Sequence, residues 1–173
     1  MEAEAVYLGL GSNLGDRERI LDAAIGRIAR IRGCKLTGCS SLYEAAPWGK
    51  KDQPDFLNRV VEIRTTLTPL ALWEALNRIE IRYRRERRGR WEARTLDIDI
   101  LLFGRKIIRG PDLIIPHPRL SERRFVLIPL NEIVPDLRVP GLNARVQELL
   151  GRCPDDSDVR LRRTRGCHAE DPR

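Results

Sequence analysis

Two aspartates set two residues apart in an aliphatic run, "RTLDIDILLF" from Arg94 to Phe103, are the residues best placed in this chain to do chemistry. The β-branched and aliphatic content of the run predicts a buried strand. Side-chain alternation then puts Asp97 and Asp99 on one face and Leu96, Ile98 and Ile100 on the other, with the two acidic Cα atoms roughly 6–7 Å apart. Two carboxylates that close repel and desolvate each other at a cost of about several kcal/mol, so a cation must sit with them: arginine, lysine or a metal. Spacing alone leaves open a structural ion-pair network and a metal site. The stretch "RYRRERRGRWEAR" brings seven arginines between Arg82 and Arg94, directly before the strand, although a charge run is most often a solvated helix end. Arg94 falls on the opposite strand face from Asp97 unless the loop bends it back. With His117 between two prolines, these parts suit a polyphosphate held through magnesium.

The other motifs carry less. "GLGSNLG" places Gly9, Gly11 and Gly15 after a strand and before a helix, but it lacks the Lys-Ser/Thr of a Walker A loop and the spacing of the dinucleotide fingerprint. A tight strand-to-helix turn is the plainer reading. Trp48 and Trp91 stand in polar loops, where a large ring has little structural reason to be, whereas Phe56 and Phe125 suit either a flat ligand or the core. Asn58 shares a strand face with Phe56 and Val60, where a buried amide needs a polar partner.

Positioning these residues requires an ordered scaffold. The chain has 173 residues, enough for one well-buried domain, read as residues 1–152, with 153–173 as a polar tail of no clear period, expected to be flexible. Strands are predicted near 5–10, 35–43, 56–66 and 97–103. Helices are predicted from Asp16 to about Ile31, capped by Asp16 and closed by Gly33, and from a Thr68 cap with Pro69 at its first position to about Tyr83. The resulting β-α-β-β-α-β order predicts an α+β, ferredoxin-like sandwich with helices on one face of an antiparallel sheet. A hairpin turning at Gly104, a helix capped by Ser121 and interrupted at Pro129, and a short helix near 144–150 follow.

Composition narrows the partners. A formal charge of +7 and a pI near 9.7 suit a nucleotide or a nucleic acid. No apolar run approaches a membrane span, and the opening "MEAEAVYLGL" is acidic where a secretory signal is basic, so a cytoplasmic protein is expected. Cys34, Cys39, Cys153 and Cys167 form no CxxC pair, so reduced thiols are expected, and Cys167-His168 offers no tetrahedral set for zinc.

Taken in order, "GLGSNLGDR", "SSLYEAAPWGKKDQPDFLN", "RRERRGRWEARTLDIDILLFG" and "IPHPRLSERRFVLIPLNEI" resemble the 6-hydroxymethyl-7,8-dihydropterin pyrophosphokinases of folate biosynthesis along nearly the whole chain up to the tail. The resemblance implies transfer of pyrophosphate from ATP to the pterin hydroxymethyl group, with release of AMP. It implies two magnesium ions on Asp97 and Asp99, and catalytic roles for Arg85, Arg94 and both aspartates. Ala45, Ala46, Trp48, Phe56, Asn58 and Phe125 would hold the pterin. Asn77, Glu80, Arg87, Trp91, Ile100, His117 and Arg123 would meet the nucleotide. Loops 44–55 and 84–94 would close over bound ATP. The chain departs from the family in Ala45-Ala46-Pro47, where Thr-Pro-Pro is common, in Trp48, where a smaller aliphatic is usual, and in "RWEAR" for "RWGPR". A monomer with small-molecule substrates, no nucleic acid and no membrane is expected. The rival readings are a ferredoxin-like RNA-binding module, whose aromatic strand motif is absent, and a D-x-D glycosyltransferase, for which the chain is short.

Overall fold

The computed structural model describes residues 2–48, 52–83 and 95–164. The chain runs β1 (Glu4–Ser12), α1 (Arg17–Ala29), β2 (Cys34–Cys39), β3 (Leu42–Ala45), β4 (Phe56–Thr65), α2 (Pro69–Tyr83) and β5 (Asp97–Phe103). The ribbon β6 (Ile108–Arg109) with β7 (Ile114–Ile115), α3 (Arg124–Ile133), the pair β8 (Arg138–Val139) with β9 (Ala144–Arg145), α4 (Val146–Gly151) and β10 (Val159–Arg163) complete it.

The helix boundaries follow local chemistry. Asp16 Oδ1 accepts the Arg19 N–H at 3.2 Å, and Gly33 takes φ +86° where the chain reverses after α1. Thr68 Oγ1 accepts the Ala71 N–H at 3.2 Å, with Pro69 supplying the fixed φ of the first helical position. Leu21, Ala24, Ile25 and Ile28 of α1 and Leu72, Leu76 and Ile79 of α2 bury one face of the sheet with Val6, Leu8, Ile63, Ile98 and Phe103. Each such large side chain contributes about 1.5–3 kcal/mol on burial.

The fold is mixed α/β with a six-stranded antiparallel sheet in the order β10-β3-β4-β1-β5, β2 also pairing with β4. Four features differ from expectation. The strand expected over 35–43 breaks at Ser40, whose hydroxyl accepts the Val60 N–H at 2.9 Å and whose carbonyl takes Arg59 Nε at 2.9 Å. Those bonds replace the ladder at the break. Helices also cover both faces: α3 and α4 bury Val60, Leu101, Leu102, Leu127, Leu130 and Val146 in a second core. The turn after Gly104 leads into a separate ribbon, β6 pairing with β7 and not with β5. Finally, α3 starts at Arg124, Ser121 lying in a 3-10 turn before it, and it runs through Pro129. The lost i→i−4 bond is tolerated because tertiary burial of Val126, Leu127 and Leu130 holds this short helix.

Two corrections concern the cysteines and the C-terminal segment. Cys39 is disulfide-bonded, whereas Cys34 and Cys153 are free thiols. Reduced thiols throughout were expected because the four cysteines form no CxxC pair and a domain of this size needs no staples. The segment expected to be a featureless tail carries β10, which pairs with β3 from Val159 opposite Ala45 to Arg163 opposite Leu42. The strand reads VRLRR, in which apolar and charged residues alternate only from Val159 to Arg162, a short run within a polar segment, and backbone pairing at the sheet edge holds it. No helix among the described residues is long and apolar enough to cross a membrane.

Candidate active site

The site occupies the part of the second sheet face that α3 and α4 leave open. Strand register builds it in two rows, because residues directly opposite in an antiparallel pair point to the same face. Asn58 lies opposite Gly11, and Gly11 opposite Asp97; one step along, Val60 lies opposite Gly9, and Gly9 opposite Asp99. Each row runs from β4 through a glycine of β1 to a carboxylate of β5. The glycines form the floor. A Cβ on Gly11 would stand 3.1 Å from Asn58 Oδ1 and 3.7 Å from Phe56 Cδ1, and one on Gly9 would stand 3.4 Å from Leu101. A side chain at Gly11 would fill the slot that the rows leave open.

The resulting cavity measures about 130 Å³ and brings together Ala46, Trp48, Phe56, Asn58, Asp97, Asp99, Arg123 and Phe125. Trp48 packs between two guanidinium groups, with Arg119 Cζ 5.1 Å and Arg123 Cζ 5.2 Å from its ring centre, and Arg123 also lies 5.8 Å from the Phe125 ring. These cation–π contacts tie the loop after β3 to the start of α3 across the cavity mouth. Asn58 is 7% exposed, and its Nδ2 has no hydrogen-bond partner among the described residues. A buried amide donor without a partner costs about 1–3 kcal/mol, which a ligand acceptor at this end of the slot would recover.

At the carboxylate end, Asp99 Oδ2 is 3.7 Å from Arg123 Nη1 and 3.8 Å from His117 Nε2. Burial first, and then the Arg123 guanidinium, push the His117 imidazole down to about 4 against the pull of Asp97. The ring is therefore neutral near pH 7, and its contact with Asp99 is no ion pair despite the geometry. His117 Nδ1 accepts the Arg119 N–H at 3.1 Å, so the ring proton sits on Nε2, facing the acids. The His117 backbone N–H donates to Leu101 O at 2.9 Å, which holds the "PHP" turn against β5.

Asp97 and Asp99 offer a hard, all-oxygen donor pair at the lip of a cavity. That donor set fits magnesium, which takes one or two carboxylates and fills its remaining positions with water and phosphate oxygens. Among the described residues no group of three or more His, Cys, Asp and Glu side chains is arranged to hold a metal ion. Such a pair suits a cation that arrives with a phosphate ligand better than a resident structural ion.

Other expected site residues lie elsewhere. Glu80 is 3% exposed, and its Oε1 accepts the Ile98 N–H at 2.7 Å, so it anchors the start of β5 beneath the acids. Ile100 turns into the core under α1 and α2, because alternation takes it to the face opposite Asp99. Ala45 is buried in β3 opposite Phe56, and Asn77 is half-buried on α2; neither lines the cavity. Arg85, Arg87, Trp91 and Arg94 lie outside the described residues. The cavity also includes Gly9, Gly11, Gln53 and Leu101, which were not among the expected site residues. The period-two spacing of Gly9 and Gly11 within a strand was the available signal for a close approach. Asn13 is buried and donates from Nδ2 to Gln53 Oε1 at 3.2 Å and Pro54 O at 3.1 Å, tying the first loop to the segment before β4.

Fold and site together define a small α/β enzyme domain with its ligand cavity on the open half of an antiparallel sheet. The pattern of the 7,8-dihydro-6-hydroxymethylpterin-pyrophosphokinase family matches residues 7–135, and the chain belongs to that family. It is 42% identical over 158 residues to the 2-amino-4-hydroxy-6-hydroxymethyldihydropteridine pyrophosphokinase of Pseudomonas aeruginosa, covering 91% of this chain and 97% of that protein. The protein of the same name from Bacillus subtilis is 44% identical over 142 residues, covering 82% of this chain and 85% of the relative. Among solved structures, an HPPK-DHPS in complex with substrates superposes with a TM-score of 0.72 at 15% identity, over 88% of this chain and 45% of that one. Wild-type Plasmodium falciparum HPPK-DHPS with pteroate gives 0.70 at 19% identity, over 87% and 42%. At such identities these two likenesses show the shared fold, and this chain spans less than half the length of either.

Proposed function

We propose that the protein transfers the pyrophosphoryl group of ATP to the hydroxymethyl oxygen of 6-hydroxymethyl-7,8-dihydropterin, in folate biosynthesis. The observation that carries the reading is the pair of rows across three strands, an unsatisfied amide at one end of a glycine-floored slot and two carboxylates at the other. A flat heterocycle in the slot would lie between Phe56 and Phe125, its ring edge accepting from Asn58 Nδ2 and its exocyclic hydroxymethyl directed at the acids.

In the balanced reaction the hydroxyl oxygen attacks the β-phosphorus, the bond from that phosphorus to the bridging oxygen of the α-phosphate breaks, AMP departs, and the hydroxyl proton passes to water. Asp97 and Asp99 would hold two magnesium ions, which when bound neutralise the triphosphate and make the hydroxyl more acidic. The described residues contribute position and charge. Arg123 presents its guanidinium beside Asp99, and neutral His117 presents Nε2–H as a phosphate donor without adding a charge to balance. Trp48, latched by two arginines, limits water beside the reacting atoms. Family resemblance adds Arg85 and Arg94 as catalytic cations and Arg87, Trp91 and Asn77 as nucleotide contacts.

We further read β1-α1-β2/β3-β4-α2-β5 as a ferredoxin-like unit to which α3, α4 and β10 are added, working as a monomer in the cytoplasm. The RNA-binding alternative gains no support: the open sheet face presents glycines and carboxylates, and acids repel a phosphate backbone.

The test is AMP release on mixing the protein with ATP, magnesium and 6-hydroxymethyl-7,8-dihydropterin. AMP that requires both pterin and metal is the expected result. AMP formed equally without pterin, or none at all, overturns the assignment.

A further inference from the structure

The C-terminal segment contacts residues that adjoin both walls of the cavity, although none of its own residues lines it. Asp155 Oδ2 accepts the Arg124 N–H at 2.9 Å, while its Oδ1 accepts the Ser157 N–H at 3.0 Å. Arg124 opens α3 and lies between Arg123 and Phe125, two residues of the cavity wall. The helix has no side-chain cap of its own at Arg123, so the acceptor its first turn needs comes from 31 residues away.

The second contact is on the opposite wall. The segment bearing Ala46 and Trp48 leaves the sheet after Glu44-Ala45 and returns at Asp55-Phe56. Two arginines bridge its ends. Arg17 donates from Nη1 to Asp55 O at 2.6 Å and pairs through Nη2 with Glu44 Oε2 at 2.9 Å. Arg160, carried on β10, pairs with Asp55 Oδ2 at 3.1 Å and lies 3.8 Å from Glu44 Oε1. Arg17 is carried on the first turn of α1, and Arg160 is brought in by the pairing of β10 with β3, where it stands opposite Glu44. A single exposed ion pair contributes little; five charges in one network, Arg160 also lying 3.5 Å from Asp158 Oδ2, restrict the loop ends together.

We propose that residues 153–164 are a positioning clamp for the substrate cavity: Asp155 fixes the start of α3, and Arg160 joins the two ends of the loop that carries Ala46 and Trp48. Asp155 and Arg160 are positioning residues, since neither meets substrate. The inference rests on the cavity being the pterin site. Holding both walls in the closed arrangement before binding removes an ordering cost from ligand association, so the effect falls on pterin affinity and not on the chemical step.

The experiment uses the full chain with Asp155→Ala, Arg160→Ala and both together. It reads amide hydrogen exchange at residues 42–48, 55–58 and 124–127, pterin affinity by calorimetry in the presence of a non-hydrolysable ATP analogue, and the KM and kcat of AMP release. The double variant is expected to exchange faster in all three segments and to raise the pterin Kd and KM by about tenfold, with kcat within about twofold. Asp155→Asn, which keeps a capping oxygen, is expected to restore most of the loss seen with Asp155→Ala. Unchanged exchange, or faster exchange with unchanged pterin affinity, overturns the proposal. Failure of the wild-type chain to release AMP overturns the functional reading instead, and leaves the exchange measurement to decide whether the clamp orders these walls.

Discussion

At the scale of single residues, the site is made as much by what β1 lacks as by what β4 and β5 carry. Gly11→Ala adds one methyl group 3.1 Å from Asn58 Oδ1, within the slot and away from the core. The expected outcome is a folded protein with near-native melting temperature whose KM for the pterin rises by about tenfold or more, checked by steady-state kinetics. Asp97→Asn and Asp99→Asn keep shape and remove charge. Each is expected to lower kcat by about a thousandfold or more while circular dichroism is unchanged, because on the proposed reading the lost group would anchor the charge-neutralising ion. Near-native turnover in either variant removes the metal assignment.

At the scale of elements, β5 carries both acids of the proposed site, and Glu80 of α2 anchors its start. Replacing Glu80 by alanine leaves the Ile98 N–H buried without its acceptor. The variant is expected to lose about 2 kcal/mol of stability in urea unfolding. Its kcat should also fall, since Ile98 lies between the two acids. Gln at the same place keeps an acceptor oxygen and should recover part of both. The link between α3 and the sheet has the same character: Glu132 accepts from the Ser41 N–H at 3.1 Å, from the Ser41 hydroxyl at 2.8 Å and from the Tyr43 hydroxyl at 2.6 Å. Burial, and then this carboxylate, push the Tyr43 phenol up to about 12.

At the scale of the whole molecule, acid sensitivity should report the C-terminal segment. Burial raises the Asp155 carboxyl, but hydrogen bonds from Ser157 and Arg124 outweigh it and hold the group below its usual 3.8. Folding therefore favours the charged form. Its contribution is fully present above about pH 4 and fades as pH falls through the lowered value, where both folded and unfolded chains become protonated. The melting temperatures of wild type and Asp155→Ala are expected to differ at pH 6 and to converge as pH falls below the lowered value of this carboxyl. A constant difference would mean that Asp155 acts only by packing. The net charge of +7 adds a second global property: the KM for ATP should rise with ionic strength as screening weakens attraction of the polyanion.

What the sequence determined by itself was the set of elements with strong local chemistry and the residues those elements carry. Apolar period and capping placed α1 and α2, alternation placed Asp97 and Asp99 on one face, and ordered motifs pointed to the family. Tertiary structure decided what depends on neighbours distant along the chain. Register joined Asn58, Gly11 and Asp97 into one row, and it turned two glycines from a loop signal into a cavity floor. Burial under two helices turned the Ile100 side chain to the face away from the acids and gave Glu80 a bond to β5. Edge pairing turned a polar tail into β10, because main-chain hydrogen bonds between distant strands leave no mark in hydrophobic period and form only where the partner edge is presented.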